Sequence, residues 1–137
     1  MTENTKGYSH PELLITPIDL ADRLGVPSGS AAGHPLKKDG HTPVVIDLRP
    51  AEVFAAGHIP GAVHLDLFGL SLINTDPAPL DAFLWMVAHL LTTRGVNSGR
   101  TVVVYDDQSG IRAARARVPH CTLYRYGVVQ CAVLHCT

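Results

Sequence analysis

The 137-residue sequence has little net charge and no long apolar run. A net charge of −1 gives no electrostatic reason to expect nucleic acid or an anionic membrane as a partner. No stretch approaches the roughly 18 apolar residues that a membrane-spanning helix requires. No apolar segment follows the polar residues 1–7, as a signal peptide would need. We therefore expect a cytoplasmic protein without a membrane or nucleic-acid partner.

Cysteines occur only near the end of the sequence, whereas acidic side chains are absent from that part. All three cysteines fall in the last 17 residues. The last carboxylate is Asp107, so that residues 108–137 carry four arginines and no acidic side chain. A disulfide is not expected in a cytoplasmic chain. This change in composition separates the end of the chain from the rest.

Strand and helix patterns alternate along most of the chain. A hydrophobic content of 46% and a charged content of 17% are typical of a globular protein, and the length suits one domain. Residues 1–12 are expected to form a flexible arm and residues 27–43 a surface loop. Alternating strands and helices predict the α/β class, with a parallel sheet covered by helices on both faces. The predicted strands are 44–48, 63–65 and 101–105, and the predicted helices are 17–25, 51–56, 79–93 and one beginning near 111.

A long motif begins within the predicted strand 44–48. Residues 47–62 contain Asp-x-Arg at the strand end, a Glu three residues further on, and then Gly-His-Ile-Pro-Gly-Ala. This string resembles the first signature of the rhodanese, or sulfurtransferase, domain, and the similarity extends over residues 13–116. Its signature positions are Asp47, Arg49, Glu52, Gly57, His58, Pro60 and Gly61.

The resemblance is strongest to the N-terminal domain of tandem thiosulfate or 3-mercaptopyruvate sulfurtransferases. It implies a three-layer rhodanese-like fold and no cofactor. In that family the signature is a structural element rather than the reaction centre, so the resemblance assigns these residues no catalytic role.

The signature residues also have physical interpretations of their own. At a strand end the Asp47 carboxylate can accept turn N–H groups, and the Arg49 guanidinium can pair with Glu52. The two glycines of the motif are expected to supply backbone angles that other residues resist. His58 suits either proton transfer or a hydrogen-bonding brace of its turn. The brace is preferred, because the sequence shows no partner base.

Sulfur transfer in the rhodanese family proceeds through a cysteine persulfide in a loop between a strand and a helix. The family pattern there resembles Cys-x-x-Gly-x-Arg, and Gly110 and Arg112 match its last two fixed positions. The nucleophile would then stand at position 107, where this sequence has Asp107. A carboxylate cannot carry a sulfane sulfur. The resemblance therefore implies a domain that is inactive alone, whose partner is a missing C-terminal catalytic domain.

Other roles for the end of the strand 101–105 remain open. Asp106 and Asp107 resemble a paired-carboxylate site, but adjacent residues that leave a strand point in opposite directions. A capping role for Asp107 is therefore preferred, and no metal site is expected. The alternative function is a non-catalytic binding or regulatory module that uses the 106–112 loop.

Three interpretations compete for the atypical tail at 117–137. The preferred one is a change of reading frame or a misplaced gene end, which leaves the tail outside the family fold and the C-terminal part of the domain incomplete. The second is a zinc site formed by His120, Cys121, Cys131, His135 and Cys136, whose spacing is a weak match to known zinc ligand patterns. The third is a genuine but divergent ending, in which residues 128–129 and 132–134 supply the missing strand.

Overall fold

The computed structural model describes residues 14–26, 42–66, 74–97, 99–107 and 130–134. Within these ranges all strand pairings are parallel, and the strand order in the sheet is β1-β5-β4-β2-β3. The predicted α/β class is confirmed. The elements are β1 (Leu14–Ile15), α1 (Pro17–Leu24), β2 (Val44–Asp47), α2 (Ala51–Ala56), β3 (Val63–His64), α3 (Pro77–Thr92), β4 (Thr101–Tyr105) and β5 (Gln130–Leu134).

Helix α1 begins and ends at residues that local chemistry favours. The Oγ1 atom of Thr16 accepts a hydrogen bond from the backbone N–H of Asp19 at 3.2 Å, and Pro17 occupies the first turn. Gly25 ends the helix in the left-handed conformation with φ 70°, which glycine adopts without a steric penalty. The helix predicted at 17–25 is therefore confirmed to within one residue.

The sheet separates two apolar clusters. Successive residues of a strand point to opposite faces, so that the continuous β-branched runs of β2 and β4 contribute to both. Helix α3 packs on one face through Ala88, Leu90 and Leu91, and Leu20 and Leu24 of α1 belong to the cluster on the other. This arrangement gives the three layers that were expected. The first cluster contains Val44, Ile46, Leu48, Leu65, Val96, Val102 and Val104; the second contains Ile15, Leu20, Leu24, Val45, Ala62, Val103 and Tyr105.

The boundaries of the other elements differ slightly from the prediction. Strands β2 and β3 each end one residue early. Ladder-like hydrogen bonds nevertheless continue, from Leu48 N–H to Tyr105 O and from Leu65 N–H to Asp47 O, both at 3.0 Å. Helix α3 begins at Pro77 rather than at 79, because proline is well tolerated in the first turn of a helix. The predicted arm 1–12 and the helix near 111 lie outside the described residues.

The end of the predicted surface loop 27–43 is buried. Thr42 is only 8% exposed, and its carbonyl oxygen accepts hydrogen bonds from Nε and Nη2 of Arg100 at 3.1 and 2.8 Å. The expectation of a surface loop therefore does not hold for residues 42–43, which lead directly into β2. Residues 27–41 lie outside the described ranges.

The tail contributes an interior strand to the sheet. Strand β5 lies between β1 and β4, in a register that pairs Thr101 with Gln130 and Ile15 with Leu134. The expectation that 117–137 lie outside the fold does not hold for residues 130–134. The third interpretation, in which 132–134 supply a strand, describes them better, because a short apolar run suits a strand with neighbours on both sides.

No helix in the described ranges is long and apolar enough to cross a membrane. The longest of them, α3, has 16 residues.

Replacing Val103 by alanine should destabilise the fold. Val103 is 0% exposed on β4, and the loss of two methylene equivalents together with the resulting cavity is expected to lower the free energy of unfolding by about 2 kcal/mol. Urea denaturation followed by circular dichroism measures the change. The matched control is Ile18→Ala on α1, where Ile18 is 70% exposed and the expected change is below about 0.5 kcal/mol. Equal losses in both variants would contradict the packing described.

Candidate functional site

The candidate site lies at the edge of the sheet where the parallel strands reach their carboxyl ends. Binding sites of open α/β sheets form at this edge. Asp47, the last residue of β2, lies in register between His64 at the end of β3 and Tyr105 at the end of β4. Asp107 follows two residues after β4. Polar residues from three neighbouring strands therefore meet at one edge.

The Asp47 carboxylate is at the centre of a buried hydrogen-bond network. Its side chain is 0% exposed. Arg49 donates to Oδ1 from its backbone N–H at 2.9 Å and to Oδ2 from Nη2 at 2.7 Å, while Nε lies within 3.0 and 3.1 Å of the two oxygens. The hydroxyl group of Tyr105 donates to Oδ2 at 2.6 Å. A charged group buried in this way must be paired and hydrogen bonded, and Asp47 is both.

This network fixes the protonation states of its members. Burial alone would raise the pKa of Asp47, but the hydrogen bonds from Arg49 and Tyr105 outweigh it and hold that pKa below its ordinary value. Burial, followed by the hydrogen bond to Asp47, raises the pKa of Tyr105 to about 12. At neutral pH the network therefore consists of an ionised carboxylate, a charged guanidinium and a protonated phenol.

Two side chains of the network hold the turn at 57–61. Nη2 of Arg49 donates to the carbonyl oxygen of Gly57 at 2.7 Å, and the backbone N–H of Ile59 donates to the hydroxyl oxygen of Tyr105 at 3.2 Å. Gly61 has φ 77°, so the turn needs a glycine there, as expected. Gly57 does not meet that expectation, because its φ of 166° is extended backbone that other residues also adopt.

His58 braces the turn against helix α2. Its Nδ1 lies 2.9 Å from the carbonyl oxygen of Phe54, so this nitrogen carries the proton and donates. The imidazole stacks on the Phe54 ring with 3.8 Å between the ring centroids. This geometry favours the bracing role over proton transfer. The side chain of His58 is exposed.

Two further residues join the network that the sequence patterns did not single out. Nε2 of His64 donates to the carbonyl oxygen of Arg49 at 2.8 Å, and Nε of Arg94 donates to the carbonyl oxygen of His64 at 2.7 Å. Arg94 also donates from Nη1 to the carbonyl oxygen of Leu90, near the end of α3. The only sequence signal for Arg94 was a basic residue just after a helix, which favours contact with unpaired carbonyl groups there.

The prediction that Arg49 pairs with Glu52 is wrong. Arg49 forms its ion pair with Asp47 instead, because its side chain folds back past the one intervening residue, Leu48, and contacts both carboxylate oxygens. Glu52 lies exposed in the first turn of α2, where a negative charge complements the helix dipole. Pro60 is also exposed.

Position 107 is accessible at the end of β4. Asp107 is exposed, whereas Asp106 is half-buried and takes part in interactions. Gly110 and Arg112, which place the family's nucleophile at 107, lie outside the described residues. Across the described ranges, no three His, Cys, Asp or Glu side chains come together as metal ligands would. The side chains of the five candidate zinc ligands in the tail also fall outside this part of the chain.

The fold and the site together define a class of protein. Its members are three-layer α/β domains with a parallel sheet and a polar network at the carboxyl edge of that sheet. The family model of the rhodanese-like domain matches residues 32–136. The chain therefore belongs to the rhodanese-like domain family.

A curated relative gives the family context. Over 110 residues the chain is 36% identical to a thiosulfate sulfurtransferase of Pseudomonas aeruginosa, in an alignment that covers 79% of this chain and 35% of that protein. The chain thus aligns with about a third of the relative's length.

Replacing Tyr105 by phenylalanine should weaken the network without enlarging or emptying the site. The variant leaves a buried carboxylate without one donor and the N–H of Ile59 without its acceptor. The expected loss in free energy of unfolding is about 2 kcal/mol, measured by urea denaturation. Amide hydrogen exchange should accelerate at Ile59 more than at Val53, whose N–H donates to the carbonyl oxygen of Pro50 inside the α2 segment. Unchanged exchange at Ile59 would contradict the hydrogen bond to Tyr105.

The ionised Asp47 should make stability depend on pH in the acid range. Because folding lowers the pKa of Asp47 below its ordinary value of 3.8, its contribution is fully present above that value and is lost as the pH falls through the lower folded pKa. Urea denaturation between pH 7 and pH 2 should show the advantage of the wild type over Asp47→Asn shrinking below about pH 4. The control is Asp107→Asn at an exposed carboxylate. A wild-type advantage that stayed constant down to pH 2 would show that ionisation of Asp47 is not the cause.

Proposed function

We propose that the chain is the N-terminal rhodanese-like portion of a thiosulfate or 3-mercaptopyruvate sulfurtransferase and that it is inactive alone. The observation that carries the proposal is Asp107, which is exposed just beyond the end of β4, at the position where the family pattern requires a cysteine. The similarity to a thiosulfate sulfurtransferase supports the choice of reaction.

The chemistry of sulfur transfer explains why a carboxylate at 107 removes activity. A cysteine thiolate attacks the sulfane sulfur of thiosulfate, a sulfur–sulfur bond forms, and sulfite leaves with the electron pair of the broken bond. Cyanide then takes the sulfane sulfur and regenerates the thiolate. A carboxylate oxygen forms no comparable persulfide. Asp106 and Asp107 also place negative charge where an anionic donor would have to approach.

In this proposal the residues of the signature have a structural task. The buried pair of Asp47 and Arg49, together with Tyr105, holds the end of β4 and the turn at 57–61 to the same edge of the sheet. None of these groups is a thiol, and each of them is occupied by internal hydrogen bonds. They support a domain rather than transfer sulfur.

The proposed partner is a C-terminal catalytic rhodanese domain that supplies the reactive cysteine. An alignment that covers 35% of the relative leaves room for such a domain in a protein of that length. The proposal requires no cofactor, metal, membrane or nucleic acid, and it assigns the protein to the cytoplasm.

A non-catalytic binding or regulatory module is the second candidate. The exposed Asp107 favours it equally, because a domain without the nucleophile can serve as a binding surface through the 106–112 loop. The two candidates differ in what lies downstream in the DNA. A continuing or shifted frame that encodes a second rhodanese domain with the Cys-x-x-Gly-x-Arg pattern supports the sulfurtransferase. Its absence from the locus supports the module.

The purified chain should form no thiocyanate from thiosulfate and cyanide. The reason is that position 107 offers a carboxylate instead of a thiolate. The colorimetric thiocyanate assay measures the product, and the thiosulfate sulfurtransferase of Pseudomonas aeruginosa serves as the positive control. Thiocyanate formation that disappeared on replacing Cys121, Cys131 or Cys136 by serine would overturn the proposal, since the tail would then hold the nucleophile.

The variant Asp107→Cys should accept sulfur from thiosulfate. Intact-mass spectrometry after incubation with thiosulfate should show a gain of one sulfur atom that dithiothreitol removes, and peptide mapping should place it on residue 107. The matched control is Asp106→Cys, which puts a thiol one position earlier on the same strand end and should gain none above the wild-type level. Equal gains in the two variants would indicate nonspecific thiol chemistry. They would contradict the assignment of position 107 as the site of the family's nucleophile.

A further inference from the structure

No further inference is drawn: the strongest candidate, the outward face of α3 on which the exposed Trp85 stacks against His89, is an unpartnered apolar face, and nothing in the described part of the chain shows what covers it.

Discussion

The ionised carboxylate of Asp47 is the constraint on which the carboxyl edge of the sheet depends. A buried negative charge is costly unless it is paired and hydrogen bonded, and Asp47 obtains its donors from its own strand end and from β4. Each of these donor residues also forms a hydrogen bond with a second group. Arg49 reaches the carbonyl oxygen of Gly57, and Tyr105 receives the N–H of Ile59. One charge thereby determines how two strands and a turn are joined.

The same network accounts for the form of the signature motif. Asp-x-Arg places the guanidinium two residues beyond the carboxylate, so that the arginine can reach both carboxylate oxygens and still extend to the turn. The glycine at 61 allows the turn to close with a positive φ. These residues are spaced for holding three chain segments together, which agrees with a structural task for the motif.

Local elements of the fold could be predicted because their signals are local. Thr16, Pro17 and Gly25 mark the two ends of α1, and the run 101–105 matches β4 residue for residue. The hydrogen bond between Asp47 and Tyr105 could not be predicted, because it depends on β2 and β4 being neighbours in the sheet. The roles of His64 and Arg94 depend in the same way on contacts between distant segments. The partner of Arg49 was predicted incorrectly, since sequence proximity favours Glu52 and Asp47 alike.

The composition of the tail obscured the strand that it contains. Scarce carboxylates and clustered cysteines describe the surface chemistry of a segment, whereas a parallel interior strand needs only a short apolar run. The apolar residues 131–134 satisfy that requirement, and the backbone of β5 lies between β1 and β4.

The place of β5 has a consequence for how the chain acquires its structure. Among the described strands, the first in sequence, β1, pairs only with the last, β5, so that synthesis must reach about residue 134 before β1 can find its neighbour. Loop-closure entropy makes such distant parallel pairings slow to form. Until β5 is added, β4 is an exposed edge strand of the nascent sheet. Such an edge can pair with another chain or bind a chaperone before the domain is complete.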